Sequence, residues 1–467
     1  MDEAAYTDSE RTHLLICTVS GAFITPLMST MLNLALVFIG SEFAVGSRSL
    51  GYVNTMFLMG SVIAMVPAAK IASIYGMKRI FVLGLIVTGA TAFLAMLSPT
   101  FWFFIAMRFA IGFGSAMIGV TSVAMLTYVF PVHRRGWAIG INTTAVYLGL
   151  SLGPTIGGLV SDTVGWRACF VIVVALVAAS LFFVSHFRRE VVPMPGEEMD
   201  WKGSAIWGIS VFVLMFGVIN ITSDFAPYAV AAGICLTLAT VRYLSRCANP
   251  VLNPRLFRIK VFRRSSVAAF MNYGASYSVA FFMSLYLQSI GEMSATEAGA
   301  LMLMQPAFQV VLAARMGALS DRMADKRILP TLGMAVVSAG VAMFLFLGTE
   351  FSLPYTVVLL SVIGIGMGIF APPNTSVIMS AVPGEYRGEA SGVVSVVRQT
   401  GMMVSMGIAM AAIAVIMGSA DNLNPSTYGD FADVLHLAFS ICLLMCAVGL
   451  VCSWFRGSGD KDDLNRV

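Results

Sequence analysis

Two arginines stand inside long apolar stretches of the sequence. Arg108 lies about seven residues into one stretch and Arg398 about eight into another, which places each roughly 10 to 12 Å deep if the stretches are membrane helices. A charged side chain at such depth costs about 2.5 to 3.5 kcal/mol on insertion scales, so it faces a polar cavity or partner. Binding of a polar substrate or coupling ion is the chemistry this pair predicts. The alternative is a structural arginine bonded to backbone carbonyls.

Further polar side chains lie within the same kind of apolar stretch. The ones we place with the arginines as candidate cavity residues are Asn33, Asn142, Tyr273, Gln305 and Asn374. Most polar residues in membrane helices hold neighbouring helices together through hydrogen bonds. We therefore expect only a minority of this set to contact a substrate.

Acidic side chains are missing from the interior of every apolar stretch. The nearest candidates for a proton carrier are Asp162, Glu297, Asp433 and His436, all of them toward the outer rim. A carrier must bind and release a proton while its access alternates between the two sides. Either one of these rim groups serves, or proton coupling is absent.

The amino-acid composition indicates that most of the chain lies in a lipid bilayer. Charged residues make up 11% of the 467 residues, against about 25% in soluble domains. Hydrophobic residues reach 58% and the mean hydropathy is +0.86. A membrane span needs roughly 20 apolar residues. The sequence therefore predicts an all-α integral membrane protein with about fourteen transmembrane helices and no soluble domain.

Several functional classes are excluded by what the residues lack. The four histidines are scattered and the seven cysteines lack the CxxC spacing of a zinc site, so we expect no metal, no cofactor and no enzyme active site. No lysine follows a glycine, so no P-loop for a nucleotide exists. No basic tract indicates nucleic-acid binding.

Fourteen apolar stretches are broken by charges or turn residues. They lie near residues 13 to 39, 50 to 72, 79 to 97, 101 to 124, 137 to 160, 166 to 186, 204 to 222, 226 to 243, 263 to 288, 296 to 316, 326 to 348, 353 to 380, 390 to 417 and 434 to 455. Because fourteen is even, both termini lie on one side of the membrane.

The basic residues predict which side that is. With a cytoplasmic N-terminus, 24 of the 28 Lys and Arg fall inside and only Arg48 and Arg167 fall outside, as the positive-inside rule requires. We expect a multi-pass protein of the plasma membrane with both termini cytoplasmic. Its expected partners are the lipid bilayer, a small-molecule substrate and protons, and we expect a monomer.

An internal repeat divides the chain into related halves. The pattern P-x-x-x-R-G-x-A-x-G that begins at Pro131 recurs at Pro383, and Gly112-x-Gly114 recurs as Gly364-x-Gly366, with an offset of 252 residues in both cases. Six helices per half leave an extra pair between them. The predicted boundaries are a tail at 1–12, a six-helix bundle at 13–186, a linker region with two extra helices at 187–262, a second bundle at 263–455 and a tail at 456–467.

The fifth stretch carries a glycine pattern. Gly149, Gly153 and Gly157 fall four residues apart on one helix face, with Pro154 and Gly158 beside them. Glycines at this spacing permit close helix approach, and the proline allows a bend. A plain packing face is the alternative. The pattern resembles the G-x-x-x-G-P-x-x-G-G antiporter signature of the major facilitator superfamily.

A short charged segment precedes the eleventh stretch. It contains Gly317, Asp321, Arg322, Lys326 and Arg327, and it resembles the signature loop of the same superfamily. An aspartate that caps a helix, together with basic residues on the cytoplasmic side, would latch two bundles together. A solvated positive-inside loop is the alternative.

The first-half counterpart of this loop, residues 69–79, departs from the family pattern at Ala69 and Ser73, where glycine and aspartate are usual. A second departure is Met28, which stands where the first helix of the family usually carries an aspartate.

The segments at Arg108 and Arg398 also resemble elements of the superfamily's fourteen-helix drug/proton antiporter branch. The resemblance implies two six-helix bundles plus two extra helices, and secondary active export of small amphipathic compounds in exchange for protons by alternating access. Facilitated or otherwise coupled transport, or a non-transporting receptor with the same fold, remains open.

Overall fold

The computed structural model describes residues 7–457, apart from 131, 188, 193, 195, 220–223, 248–249, 252–253, 324, 383–386, 419–422 and 424. Pro131 and Pro383, which begin the repeated pattern, lie outside the described residues. In the described part the secondary structure is helical, with no strand.

Six helices form the first bundle and two follow it. They are α1 (Asp8–Phe43), α2 (Ser47–Tyr75), α3 (Met77–Met96), α4 (Phe101–Val129), α5 (Val132–Thr163), α6 (Ala168–His186), α7 (Trp201–Ile219) and α8 (Ala226–Leu244). The second bundle contains α9 (Lys260–Ser276), α10 (Ser278–Ser289), α11 (Ala295–Met302), α12 (Met304–Arg322), α13 (Ile328–Met343), α14 (Leu353–Ser380), α15 (Arg387–Ile416) and α16 (Tyr428–Trp454).

Two of the membrane paths are each interrupted once. Within the described residues, thirteen stretches are long and apolar enough to span a bilayer, and α11 with α12 forms one of them. The fourteenth path is α9 followed by α10, which the residue Tyr277 separates. These helices account for the roughly fourteen crossings that the sequence predicts.

Each interruption has a local cause. In the α11–α12 path, Pro306 has no N–H to donate to the preceding turn. In the α9–α10 path, the hydroxyl of Ser405 from α15 accepts the N–H of Ser278 at 3.0 Å. A side chain that enters the helix ladder in this way is a common origin of a kink.

The two bundles repeat one packing pattern. In the first, α1 packs on α5 and α6, α4 on α2 and α3, and α3 on α6. In the second, α9 packs on α15 and α16, α14 on α12 and α13, and α13 on α16. The fold is therefore two six-helix bundles related by a parallel repeat, as predicted, with α7 and α8 as the extra pair.

The repeated glycines show why the sequence repeats there. A Cβ on Gly112 of α4 would lie 2.2 Å from the carbonyl oxygen of Phe57 on α2, and one on Gly114 would lie 2.8 Å from the carbonyl oxygen of Gly84 on α3. Their repeats, Gly364 and Gly366 of α14, approach α12 and α13 in the same way. Each central helix thus packs backbone to backbone against two neighbours.

The bundles meet along two seams. One joins α5 to α11 and α12 and joins α1 to α10, and the other joins α2 to α15, while α7 packs on both α2 and α15. The two bundles together have two faces. We call the face where α1 begins and α16 ends the terminal face, and the face where α5 ends and α11 begins the opposite face.

We expect Gly112→Ala and Gly364→Ala to lower the unfolding temperature of the detergent-purified protein, because each added methyl meets a backbone carbonyl that cannot move aside alone. Overpacking of this kind costs about 1–3 kcal/mol. The matched control is Gly119→Ala, also on α4, where a Cβ meets nothing within 4 Å. A melting curve for Gly112→Ala that overlays the control would contradict the close approach.

Candidate functional site

Arg108 is fully buried, and only one edge of its guanidinium is bonded. Its Nε donates to the carbonyl oxygen of Val53 at 3.0 Å, and its Cζ lies 4.8 Å from the centroid of the Phe57 ring. Both terminal nitrogens, Nη1 and Nη2, have no hydrogen-bond partner among the described groups. The alternative considered from the sequence, a structural arginine bonded to backbone carbonyls, therefore accounts only for the Nε donor of Arg108. The two terminal nitrogens remain without a partner among the described groups.

Tyr277, at the kink between α9 and α10, connects this arginine to the second bundle. Its side chain lies within electrostatic range of Arg108. Its hydroxyl pairs with the Oγ of Ser29 on α1 at 3.0 Å. The kinked path therefore contacts the first bundle at the depth of the buried cation.

Arg398 of α15 lies beside a second tyrosine of the same path. Its Cζ is 6.0 Å from the centroid of the Tyr273 ring, and Tyr147 of α5 lies within electrostatic range of both groups. Because Tyr273 and Tyr277 are four residues apart, they share one helix face. The structure thus brings Arg108, Arg398 and two tyrosines into one region between the bundles.

The predicted amides have different surroundings. Asn33 on α1 accepts a 2.8 Å hydrogen bond from Asn54 on α2, so it joins two helices of one bundle. Asn142 is buried, and its amide oxygen has no hydrogen-bond partner in the described part of the chain. Gln305 is half-buried, and its backbone lies against Gly364.

Asn374 lies in a polar cluster at the terminal face. Its Nδ2 donates to the carbonyl oxygen of Ser265 at 3.1 Å, and its Oδ1 accepts from Nη1 of Arg456 at 3.0 Å. Arg456 also donates to both the backbone and the hydroxyl of Ser453. Burial lowers the pKa of Arg456 to about 10. These bonds tie the end of α16 to α14, and through Asn374 to α9.

Sequence reasoning placed Arg456 in the C-terminal tail and missed this role. The available signal is its position as the first charged residue after the last apolar stretch. A long basic side chain there can fold back along the helix end instead of entering water.

A local ion pair between Asp325 and Arg327 stabilises the charged segment before α13. Asp325 accepts hydrogen bonds from the Arg327 side chain at 2.9 Å and from its backbone N–H at 2.9 Å, and these bonds lower the pKa of Asp325. The Arg327 guanidinium lies 5.8 Å from the Trp454 ring centroid, next to the Arg456 cluster. The predicted helix-capping residue, Asp321, has no described side chain.

Of the other residues predicted in this segment, the side chain of Arg322 also lies outside the described part, and Lys326 is exposed in the turn before α13. A Cβ on Gly317 would make ordinary contact, at 3.6 Å, with Pro372 of α14.

The first-half loop, which lacks the usual aspartate, is instead held by the segment that follows α6. The Glu190 carboxylate accepts the N–H of Lys78 at 2.8 Å and lies 3.7 Å from Nε of Arg79. It fills the space beside Gly76, whose φ of +121° only glycine adopts readily. Glu190 therefore supplies the negative charge at the start of α3.

Two further bonds fix the same segment. Glu197 pairs with Lys70 of α2 at 2.9 Å. The N–H of Met194 donates to the carbonyl oxygen of Ser73 at 3.0 Å. The backbone of Ser73, not its side chain, thus takes part in holding the loop.

The glycine pattern of α5 faces two partners. Cβ atoms on Gly149, Gly153 and Gly157 would collide with α1, the last at 1.9 Å from the carbonyl oxygen of Met31. A Cβ on Gly158 would lie 2.2 Å from the carbonyl oxygen of Ala295 on α11.

Beside this contact, the carbonyl oxygen of Pro154 lies 2.8 Å from the Cβ position of Gly299 on α11. The pattern is therefore a packing face that also brings the two bundles into backbone contact near the opposite face.

Asp162, one turn beyond this contact, closes the seam. Its Oδ2 accepts the N–H of Thr296 at 2.8 Å and the Thr296 hydroxyl at 2.5 Å. Both bonds join α5 to the first turn of α11. We name the Asp162–Thr296 pair the rim latch.

The remaining rim candidates are engaged elsewhere or lie at the surface. Glu297 bonds Ser294 in a capping box at the start of α11. His436 pairs through Nε2 with the carbonyl oxygen of Leu347 at 3.1 Å; since a carbonyl only accepts, this nitrogen carries the proton. Asp433 is exposed on α16.

Comparison with known proteins identifies the family. The model of the Major Facilitator Superfamily matches residues 18–406 and again residues 265–466. The chain belongs to the Major Facilitator Superfamily. It is a multi-pass membrane transporter and not an enzyme.

Relatives of this facilitator include a multidrug resistance protein, a riboflavin transporter and a resistance and export protein. It is 27% identical over 415 residues to the Multidrug resistance protein Stp of Mycobacterium tuberculosis, covering 86% of this chain and 76% of that protein. It is 22% identical over 443 residues to the Riboflavin transporter RibZ of Clostridioides difficile, covering 95% and 96%. The Tetracenomycin C resistance and export protein of Streptomyces glaucescens is 25% identical over 415 residues, covering 87% and 76%.

Solved structures share the fold. A POT family transporter in complex with a thioalcohol-conjugated peptide superposes with a TM-score of 0.72 at 15% identity, covering 94% of this chain and 95% of that chain. An inward-facing, unoccupied bacterial homolog of the human lysosomal transporter Spinster superposes with a TM-score of 0.70 at 15% identity, covering 98% and 99%.

We expect Asp162→Ala to release the first turn of α11, because the N–H of Thr296 loses its acceptor. Amide exchange at Thr296 of the facilitator in nanodiscs should become about 3- to 10-fold faster, as loss of a charge-assisted bond at a partly exposed site implies. Asp433→Ala, which removes another rim carboxylate from α16, is the control. Unchanged exchange in the Asp162 variant would rule out the rim latch.

Glu190→Ala should lower the SDS concentration at which helicity is lost, because the Lys78 N–H and the start of α3 lose their acceptor. We expect about 1–2 kcal/mol of destabilisation, typical of a lost charged cap. The exposed Glu198 in the same segment provides the control, Glu198→Ala. Equal midpoints for the two variants would show that Glu190 does not hold the loop.

Proposed function

We propose that this facilitator exports small amphipathic compounds from the cytoplasm across the plasma membrane by alternating access. The observation that carries the proposal is the pair of intramembrane arginines, the buried Arg108 in the first bundle and the half-buried Arg398 in the second, with the tyrosines of the kinked α9–α10 path between them. A ligand that contacts both arginines contacts both bundles, as substrate-dependent rocking requires.

The charge distribution supports an orientation of the protein in the membrane. The terminal face holds most of the basic residues, so the positive-inside rule places it in the cytoplasm. The rim latch and the α5–α11 backbone contacts then close the outer side. The multidrug resistance and export names of two relatives support an exporter.

Proton antiport is the coupling mode that the α5 glycine pattern suggests. Within the described residues, however, the carboxylates of Asp162 and Glu297 are engaged in a latch and a cap, and His436 bonds a carbonyl through Nε2, which leaves the exposed Asp433 as the carboxylate available to carry a proton. Facilitated or differently coupled transport is the second candidate, and the lack of an acidic residue within the helix interiors favours it. A non-transporting receptor is the third.

The central test is resistance in a host that lacks its own drug pumps. Expression should raise the inhibitory concentration of at least one compound at least about fourfold in a panel that includes tetracenomycin C and riboflavin analogues. Arg108→Ala and Arg398→Ala should abolish this gain, because each removes a cation from the proposed site. Arg242→Ala, an exposed arginine at the end of α8, should keep it.

At matched amounts in the membrane, full resistance in both alanine variants would refute the site. Flux into proteoliposomes separates transport from a receptor role. A pH gradient that drives no accumulation of a transported compound would exclude proton antiport and leave the second candidate.

A further inference from the structure

The charges of the central region are of one sign. Arg108 and Arg398 lie within membrane helices, whereas the sequence has no aspartate or glutamate in the interior of any predicted span. Arginine stays protonated in proteins. The region between the bundles therefore carries two positive charges without a fixed counter-charge.

The described groups give the forked edge of Arg108 no neutralising partner, while Arg398 is half-buried. Val53 offers one carbonyl to Arg108, Phe57 offers a ring face, and the forked edge of the guanidinium meets no acceptor among the described groups. Arg398 faces the ring of Tyr273. Ring faces attract cations weakly, by about 0.5 to 2 kcal/mol, which is far less than the cost of burying an unpaired charge.

The shape of the free edge narrows the ligand chemistry. Nη1 and Nη2 present parallel N–H groups, the geometry that binds a carboxylate or sulfonate through two hydrogen bonds. The neighbouring Tyr273 and Tyr277, both half-buried, offer aromatic surface to an apolar body. A cationic compound would instead add a third positive charge to a desolvated region.

We propose that the substrates of this transporter are amphipathic organic anions, with the acidic head on Arg108, Arg398 adding long-range attraction, and the ring system against the α9–α10 tyrosines. This inference rests on the proposed transport function. It names the class of substrate that the resistance panel leaves open.

Matched ligand pairs test the inference by binding alone. The purified full-length protein in nanodiscs is titrated with fluorescein and with rhodamine 123, a cationic dye built on a closely similar ring system, and with 2-naphthoate and its neutral amide. We expect the anion of each pair to bind at least tenfold more tightly. Equal binding within the pairs, or tighter binding of rhodamine 123, would overturn the proposal.

Variants assign the preference to the site. Arg108→Gln should weaken fluorescein binding at least tenfold without weakening rhodamine 123 binding, because the variant loses a charge that repels the cation, while Arg108→Lys should restore much of the affinity for fluorescein. Arg398→Gln, expected to lose about threefold, serves where Arg108→Gln does not fold, and Arg242→Gln is the control for surface charge. Wild-type affinity for fluorescein in a folded Arg108→Gln variant would show that the anion binds elsewhere.

A flux measurement separates the two proposals. If anions bind with the expected preference and none crosses the membrane of proteoliposomes, the transport proposal fails and the anion preference stands. If compounds are transported without regard to charge, the anion preference fails and the transport proposal stands.

Discussion

The fold depends on close backbone contact between helices. Inside a bilayer the hydrophobic effect does not drive apolar helices together, because lipid tails are as apolar as the helix surfaces. Gly112 and Gly114 let α4 touch α2 and α3, and Gly364 and Gly366 do the same for α14. Such contacts are rigid within each bundle. The seam between α5 and α11 has a similar close backbone contact at Gly158. The carboxylate of Asp162 adds hydrogen bonds to Thr296 there. The bundles are therefore stiff bodies whose mutual contact at that rim involves few bonds.

The kinked α9–α10 path connects this frame to the site. Ser405 enters the path where Tyr277 separates two helices, and Tyr277 reaches across to Ser29 of the other bundle. The same residue lies within electrostatic range of Arg108, whose two terminal nitrogens have no hydrogen-bond partner among the described groups. A ligand that neutralises Arg108 changes the surroundings of a tyrosine that joins the bundles. In the proposed binding mode, ligand contact and contact between the bundles thus involve the same side chain, that of Tyr277.

The fold could be predicted from sequence because apolar length, basic-residue asymmetry and repeat offset are properties of the chain itself. The arginines could also be found, since a charge inside an apolar stretch is conspicuous. Their surroundings could not: Asn33 and Asn374 have the same polarity as cavity residues, yet one pairs with Asn54 and the other with Arg456. Partners on distant helices decide between a structural amide and a binding one, and spacing along one helix does not reveal them.

The side-chain bonds at the two faces differ in whether they join the two bundles. At the terminal face, Glu190 and Glu197 bind α3 and α2 within the first bundle, and Arg456 binds helices of the second. None of these bonds crosses between the bundles, so they stabilise each bundle without joining it to the other. The rim latch does cross, through one acceptor atom and one threonine. Any separation of α5 from α11 therefore breaks these two exposed hydrogen bonds together with the buried backbone contacts at Gly158 and Gly299.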